Sequence, residues 1–174
     1  MKKLANHTSL KEWSTVIDAL ASGQQVILIR KGGIADRQFG VEAPQFYLYP
    51  TYFHQGENDH RASVTITHWC EAVRTWSVRD VERVGRLAPL VSIPRQTLDA
   101  RYRFRPDQAL HIIGVRTYAL AAPAEVGFRD EYAGCRSWLS VDDEIDISGS
   151  MPVLSESVLQ AKLKAVDSLI TVAV

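Results

Sequence analysis

The apolar positions of this chain follow two alternating periods, one near 3.6 residues and one near 2. Leu10, Trp13, Ile17 and Leu20 fall on one helical face, and Ser9 with Glu12 three residues later makes a capping-box pattern. The spacing predicts a helix from Leu10 to about Ser22, with Gly23 where a left-handed C-cap is wanted. Val26-Ile27-Leu28-Ile29 reads as a buried strand spanning Gln25 to Arg30. A second strand is expected from Gln45 to Tyr49, halted by Pro50, which lacks the ladder donor. Residues 55–61 are polar and read as a loop.

From Ala62 to Trp76 the chain alternates as a long strand. Val64, Ile66, His68, Cys70 and Ala72 are expected on one side, with Thr65, Thr67, Trp69 and Glu71 on the other. Asp80 to Leu87 predicts a short helix. Pro94 to Phe104 predicts another, with Ser92 as its cap and Pro106 ending the run. Leu110 to Leu120, rich in Ile, Val, Thr and Tyr, predicts a strand. Pro123 to Gly134 reads as loop and Arg136 to Val141 as a short strand. A last helix begins at Leu154-Ser155 with Leu159, Leu163, Val166 and Ile170 on one face. The expected architecture is therefore α+β, with a mixed or antiparallel sheet open to barrel-like closure and helices towards both termini.

Composition narrows the class. The 174 residues are 46% hydrophobic and 23% charged, as in an ordinary globular domain, and nothing marks an internal boundary, so one domain over 1–174 is expected. Lys3-Leu4 is followed by Asn6, His7, Thr8 and Ser9 where a secretory leader needs an apolar stretch, and no apolar run is long enough for a membrane span. Two cysteines far apart read as reduced thiols, which implies a cytoplasmic setting.

Charge changes this picture more than composition does. The net charge is zero, from 20 basic and 20 acidic residues. By thirds, residues 1–60 hold six of each, 61–120 hold ten basic and five acidic, and 121–174 hold four basic and nine acidic. All the middle-third cations are Arg, among them Arg101, Arg105 and Arg116, and Arg grips phosphate bidentately as Lys does not. The same numbers allow the acidic end to fold back and neutralise the basic middle, within the chain or across a homodimer.

Several groups could carry chemistry. Arg30-Lys31-Gly32-Gly33 sets two cations before two glycines, suited to an anion, although neither P-loop nor dinucleotide spacing is present. Tyr49, His54 and Gln55 belong to an aromatic run that suits either a pocket or stacked bases. Cys135 beside Arg136 is a candidate activated thiol and Trp138 a candidate stacking residue. His54, His60, His68 and Cys70 match no common zinc spacing, and no metal or other cofactor is expected. No Asp or Glu stands two positions before a Lys, so metal-dependent cleavage of the PD-(D/E)xK kind has no ligand set here.

Leu10-Lys11-Glu12-Trp13, Leu28-Ile29-Arg30-Lys31-Gly32-Gly33-Ile34 and Leu48-Tyr49-Pro50-Thr51-Tyr52-Phe53-His54-Gln55 together resemble a bacterial family, domain-of-unknown-function family 1802. Arg116-Thr117-Tyr118, Tyr132-Ala133-Gly134-Cys135-Arg136-Ser137-Trp138 and Pro152-Val153-Leu154-Ser155 extend the likeness over nearly the whole chain. The resemblance implies no established activity, only an association with restriction and modification. Gly23, Gln25 and Arg30 are also similar to the opening of the PUA-like, RNA-associated ASCH domains, with Leu28 where those carry a glutamate. The leading expectation is an accessory nucleic-acid-associated module, with Arg30, Lys31, Arg101, Arg105 and Arg116 on phosphates and Tyr49 or Trp138 stacking. The alternative is a small-molecule binder or enzyme built around Tyr49, His54, Gln55 and Cys135, and a third reading is a structural homodimer.

Overall fold

Seven strands and four α-helices make up the described residues, 1–31, 40–52, 62–134 and 136–171, of the computed structural model. In chain order they are β1 (Thr8–Trp13), α1 (Ser14–Ala21), β2 (Ile27–Arg30), β3 (Gln45–Thr51), β4 (Ser63–Val78), α2 (Val81–Arg86), α3 (Arg95–Arg103), β5 (Leu110–Gly127), β6 (Trp138–Ser140), β7 (Met151–Pro152) and α4 (Glu156–Thr171). The sheet order is β2-β5-β4-β3-β1-β6, with β7 on β5. All pairs are antiparallel except β1 with β3. The α+β class and mixed sheet are as expected; barrel closure is not, since β2 and β6 end the path unpaired with each other.

Each sheet face carries its own core. In β3 the residues alternate between them: Phe46 and Leu48 join a cluster with α1, α3 and α4, while Tyr47 and Tyr49 join one with Leu4, Tyr132, Val141, Ile145 and Ile147. All four are nearly inaccessible, which explains why β3 reads as one apolar run. Helix α4 buries the predicted stripe, Leu159, Leu163, Val166 and Ile170. Helix α3 forms as expected, but Pro94 is its N-cap and Ser92 instead donates its N–H to Gln25 Oε1 at 2.8 Å.

The start of the expected first helix is a strand. Residues 10–13 lie in β1 between β3 and β6, and only Ser14–Ala21 are helical. Pairing on both sides outweighs a helical spacing worth only tenths of a kcal/mol per residue. The capping box therefore does not form; Ser9 and Glu12 are both buried. Gly23 does take the left-handed conformation, φ 70°, where an added Cβ would stand 2.6 Å from Leu154 Cδ2.

Three boundaries move for reasons of pairing. Pro50 lies inside β3 opposite Glu12, because β4 pairs β3 only from Gln45 to Tyr47 and asks no N–H of Pro50. β5 runs on through Pro123 to Gly127, where a loop is expected. There Leu120 to Pro123 stand opposite Thr67 alone, a bulge that tolerates proline. The β4 alternation breaks at the same place: Val64 and Ile66 share a core with Trp69, and Cys70 joins the other.

Candidate nucleic-acid interface

The residue at the end of β1 organises one end of the sheet. Glu12 is the one buried carboxylate among the described residues, with no exposed side-chain surface. Its Oε2 accepts from Arg30 Nη1 at 3.2 Å, and its Oε1 lies 3.7 Å from Arg101 Nη2 and accepts from the Trp13 N–H at 2.9 Å. β1 and β2 are four places apart in the sheet, about 19 Å if the sheet were flat. The Glu12–Arg30 contact therefore requires the sheet to curl until these strand ends face each other. Pairing leaves the sheet open; an ion pair spans the gap.

Helix α3 delivers the rest. Arg101 Nη1 donates to Ile29 O at 2.9 Å, and its guanidinium lies 4.9 Å from the Trp13 ring centroid. Lys31 Nζ donates to Tyr102 O and sits 5.0 Å above that ring. Tyr102 Oη donates to Arg79 O at 2.6 Å, and Arg79 Nη1 to Asp107 O at 2.8 Å. His111, opposite Arg30 on β5, shares a hydrogen bond with Ser77 at 3.3 Å. Burial draws the Arg101 guanidinium below its ordinary value, against the pull of Glu12. Burial and then Arg79 lower Lys31; burial and then Lys31 lower His111. In all three burial is the larger cause, and the neighbouring cation adds to it at Lys31 and His111.

The sequence-derived site divides here. Arg30, Lys31 and Arg101 come together, and Arg105 follows two residues beyond the end of α3. Arg116 does not join them. It lies five residues along β5 from His111, about 17 Å, where Glu71 holds it at 2.8 Å and Glu156 pairs with it too. Tyr49 and Trp138 offer no ring face to a base. Tyr49 is 3% exposed and packs edge-on to Tyr132; Trp138 is 7% exposed, packs edge-on to Phe46 and donates its indole N–H to Gly40 O. Gly32, Gly33, His54, Gln55 and Cys135 lie outside the described residues, as does His60. Sequence reading missed Glu12, spent on a supposed cap, and Tyr102, whose carbonyl, ring and hydroxyl all make contacts.

Other chemistry finds little footing among the described residues. Cys70 is fully buried beside Thr117, and burial pushes its thiol up to about 12, so it stays protonated. No three His, Cys, Asp or Glu side chains among them come close enough to share a metal ion. A cavity between α1, β5, β7 and α4, lined by Leu20, Gln25, Arg116, Thr117 and Leu154, has room for about one water. No helix is long and apolar enough to cross a membrane.

Comparison with known proteins agrees with this fold. ASCH from Zymomonas mobilis, 12% identical, superposes with a TM-score of 0.51 over 90% of this chain and 93% of that one. A serine-to-alanine mutant of the same protein, 10% identical, gives 0.50 over 91% and 94%. The likeness is one of fold, shared with the PUA-like ASCH architecture. No curated protein matches the sequence. A family model, described as a domain of unknown function, matches residues 9–165. With β1 to α4 falling almost entirely within it, the chain belongs to domain-of-unknown-function family 1802.

Proposed function

We propose that this chain is an accessory nucleic-acid-binding module that holds phosphates at the basic end of its sheet. The observation that carries the reading is the pairing of Arg30 and Arg101 with one buried carboxylate, with Lys31 held on Tyr102 of the same helix and Arg79 bonded to the Tyr102 hydroxyl. The inner cations are largely covered: 13% of the Arg30 side chain is exposed and 20% of Arg101. They supply potential and a fixed frame. Arg79 and Arg103, both exposed, and the half-buried Arg105 supply the surface that phosphates reach. Arg116 drops out of this role because two glutamates already neutralise it.

Phosphate contacts release counterions, so binding must weaken steeply with salt. Anisotropy of labelled single strands and duplexes between about 50 and 200 mM salt tests this. Arg79→Ala and Arg103→Ala are expected to lower the salt slope by about 1 each. Arg116→Gln is expected to leave it unchanged. No retention of any strand at the low-salt end overturns the proposal.

A further inference from the structure

The last turn of α3 runs into a feature the phosphate contacts do not use. Phe104 is 39% exposed, a large apolar ring at the surface immediately beside the cations. It caps α3 in extended conformation, and its N–H reaches Ala100 O at 3.0 Å. Arg105 follows at φ 52°, the only non-glycine residue with positive φ among those described. An arginine held there costs conformational energy, and it turns the chain so that its guanidinium lies 5.0 Å from the Phe104 ring centroid.

This knuckle is held in place. The Gln108 N–H closes it on Arg105 O at 2.9 Å, and Arg79 ties it to the end of β4 through Asp107 O. Tyr102, two residues before Phe104, anchors the other side through Arg79 O. Arg101 and Arg103 occupy the last turn of α3 and offset the negative end of the helix, which would otherwise repel a phosphate. Two carboxylates neighbour the knuckle in sequence. Asp80 is engaged with the α2 N–H groups of Glu82 and Arg83, and with the Arg83 side chain at 3.6 Å; Asp107 accepts from Arg79 through its backbone carbonyl.

We infer that Phe104 is a stacking platform for an unpaired base, with Arg79, Arg103 and Arg105 taking the flanking phosphates, so that the polyanion this site selects is single-stranded. The inference rests on the phosphate-binding reading and adds the base. Paired bases in a duplex are stacked on one another and present no face to a side chain, whereas every unpaired base does. An exposed aromatic among fixed cations is therefore selective for strand state while remaining tolerant of sequence. The 2′-hydroxyl plays no part in a ring-on-ring contact, so RNA and DNA strands are expected to bind alike.

The test compares one labelled strand as RNA, as DNA, as DNA with abasic sites, and as duplex, each titrated with the full chain. Base-bearing single strands of either sugar should bind about tenfold or more tighter than the abasic strand. Phe104→Ala should erase that difference and keep the salt slope. Phe104→Trp should preserve it and show indole quenching on binding. A ratio unchanged in Phe104→Ala, or no preference over abasic strand and duplex in the natural chain, overturns the platform and leaves salt-dependent polyanion binding standing. Absence of all binding removes both, and a melting curve for Phe104→Ala that matches the natural chain excludes misfolding as the cause.

Discussion

At the scale of single residues, Glu12 decides more than any other side chain. It is the counter-charge for two guanidiniums drawn from different elements, Arg30 on β2 and Arg101 on α3, and it has no access to water. Breaking a buried pair by removing one partner leaves the other charge uncompensated, a far larger loss than the net worth of the pair. Glu12→Gln keeps the shape and deletes the charge. Partial exposure of both arginines softens the effect, so a loss of roughly 2–4 kcal/mol is expected in urea unfolding. A change below about 1 kcal/mol would mean the two arginines reach water on their own. The same variant should bind polyanions more tightly at equal folded fraction, since it removes the one buried carboxylate among the described residues.

Elements show which parts of the sequence speak plainly. Helix α4 was legible because an exposed helix on a core must carry a stripe, and Leu159, Leu163, Val166 and Ile170 are that stripe. β1 was not, because six residues flanked by strands on both sides have no need to alternate, and Leu10 to Leu20 happen to share a helical spacing. The length of β5 was hidden for another reason. Pro123 stops an isolated strand but not one bulged against Thr67, and the register that makes the bulge depends on β4. Packing between elements is equally invisible in sequence. At Gly114 of β5, α4 rests on bare backbone: an added Cβ would lie 2.7 Å from Leu163 Cδ2 and 3.1 Å from the Trp76 ring. Gly114→Ala forces Leu163, Trp76 or α4 itself to shift, and a loss of about 1–3 kcal/mol is expected in thermal melts. A melt indistinguishable from the natural chain would show that α4 floats free of this contact.

For the whole molecule the question is where the opposite charges of the middle and last thirds go. The candidate site was half legible: Arg30, Lys31 and Arg101 stood out by charge and residue type, but their convergence depends on a curl of the sheet that no local pattern encodes. The acidic third answers for the rest. From α4, Glu156 pairs with Arg116, and Asp167 pairs with Arg74 and accepts from Trp76 Nε1 at 2.8 Å. Arg83, from the middle third, donates to Ile170 O at 2.9 Å at the end of the same helix. On the proposed reading, helix α4 neutralises one side of the Arg-rich region and the sheet end with Arg79, Arg101 and Arg103 is the basic face of a chain of zero net charge. If so, the double variant Glu156→Gln, Asp167→Asn should expose a second basic surface. Each pair is partly exposed and contributes about 1 kcal/mol or less, so the fold should survive. Retention on a polyanion column should shift to clearly higher salt, by more than the same two charges removed at Asp142 and Glu144, whose partners Arg129 and Lys3 lie elsewhere. Equal shifts for the two double variants would mean that only total charge matters, and that α4 hides no face at all.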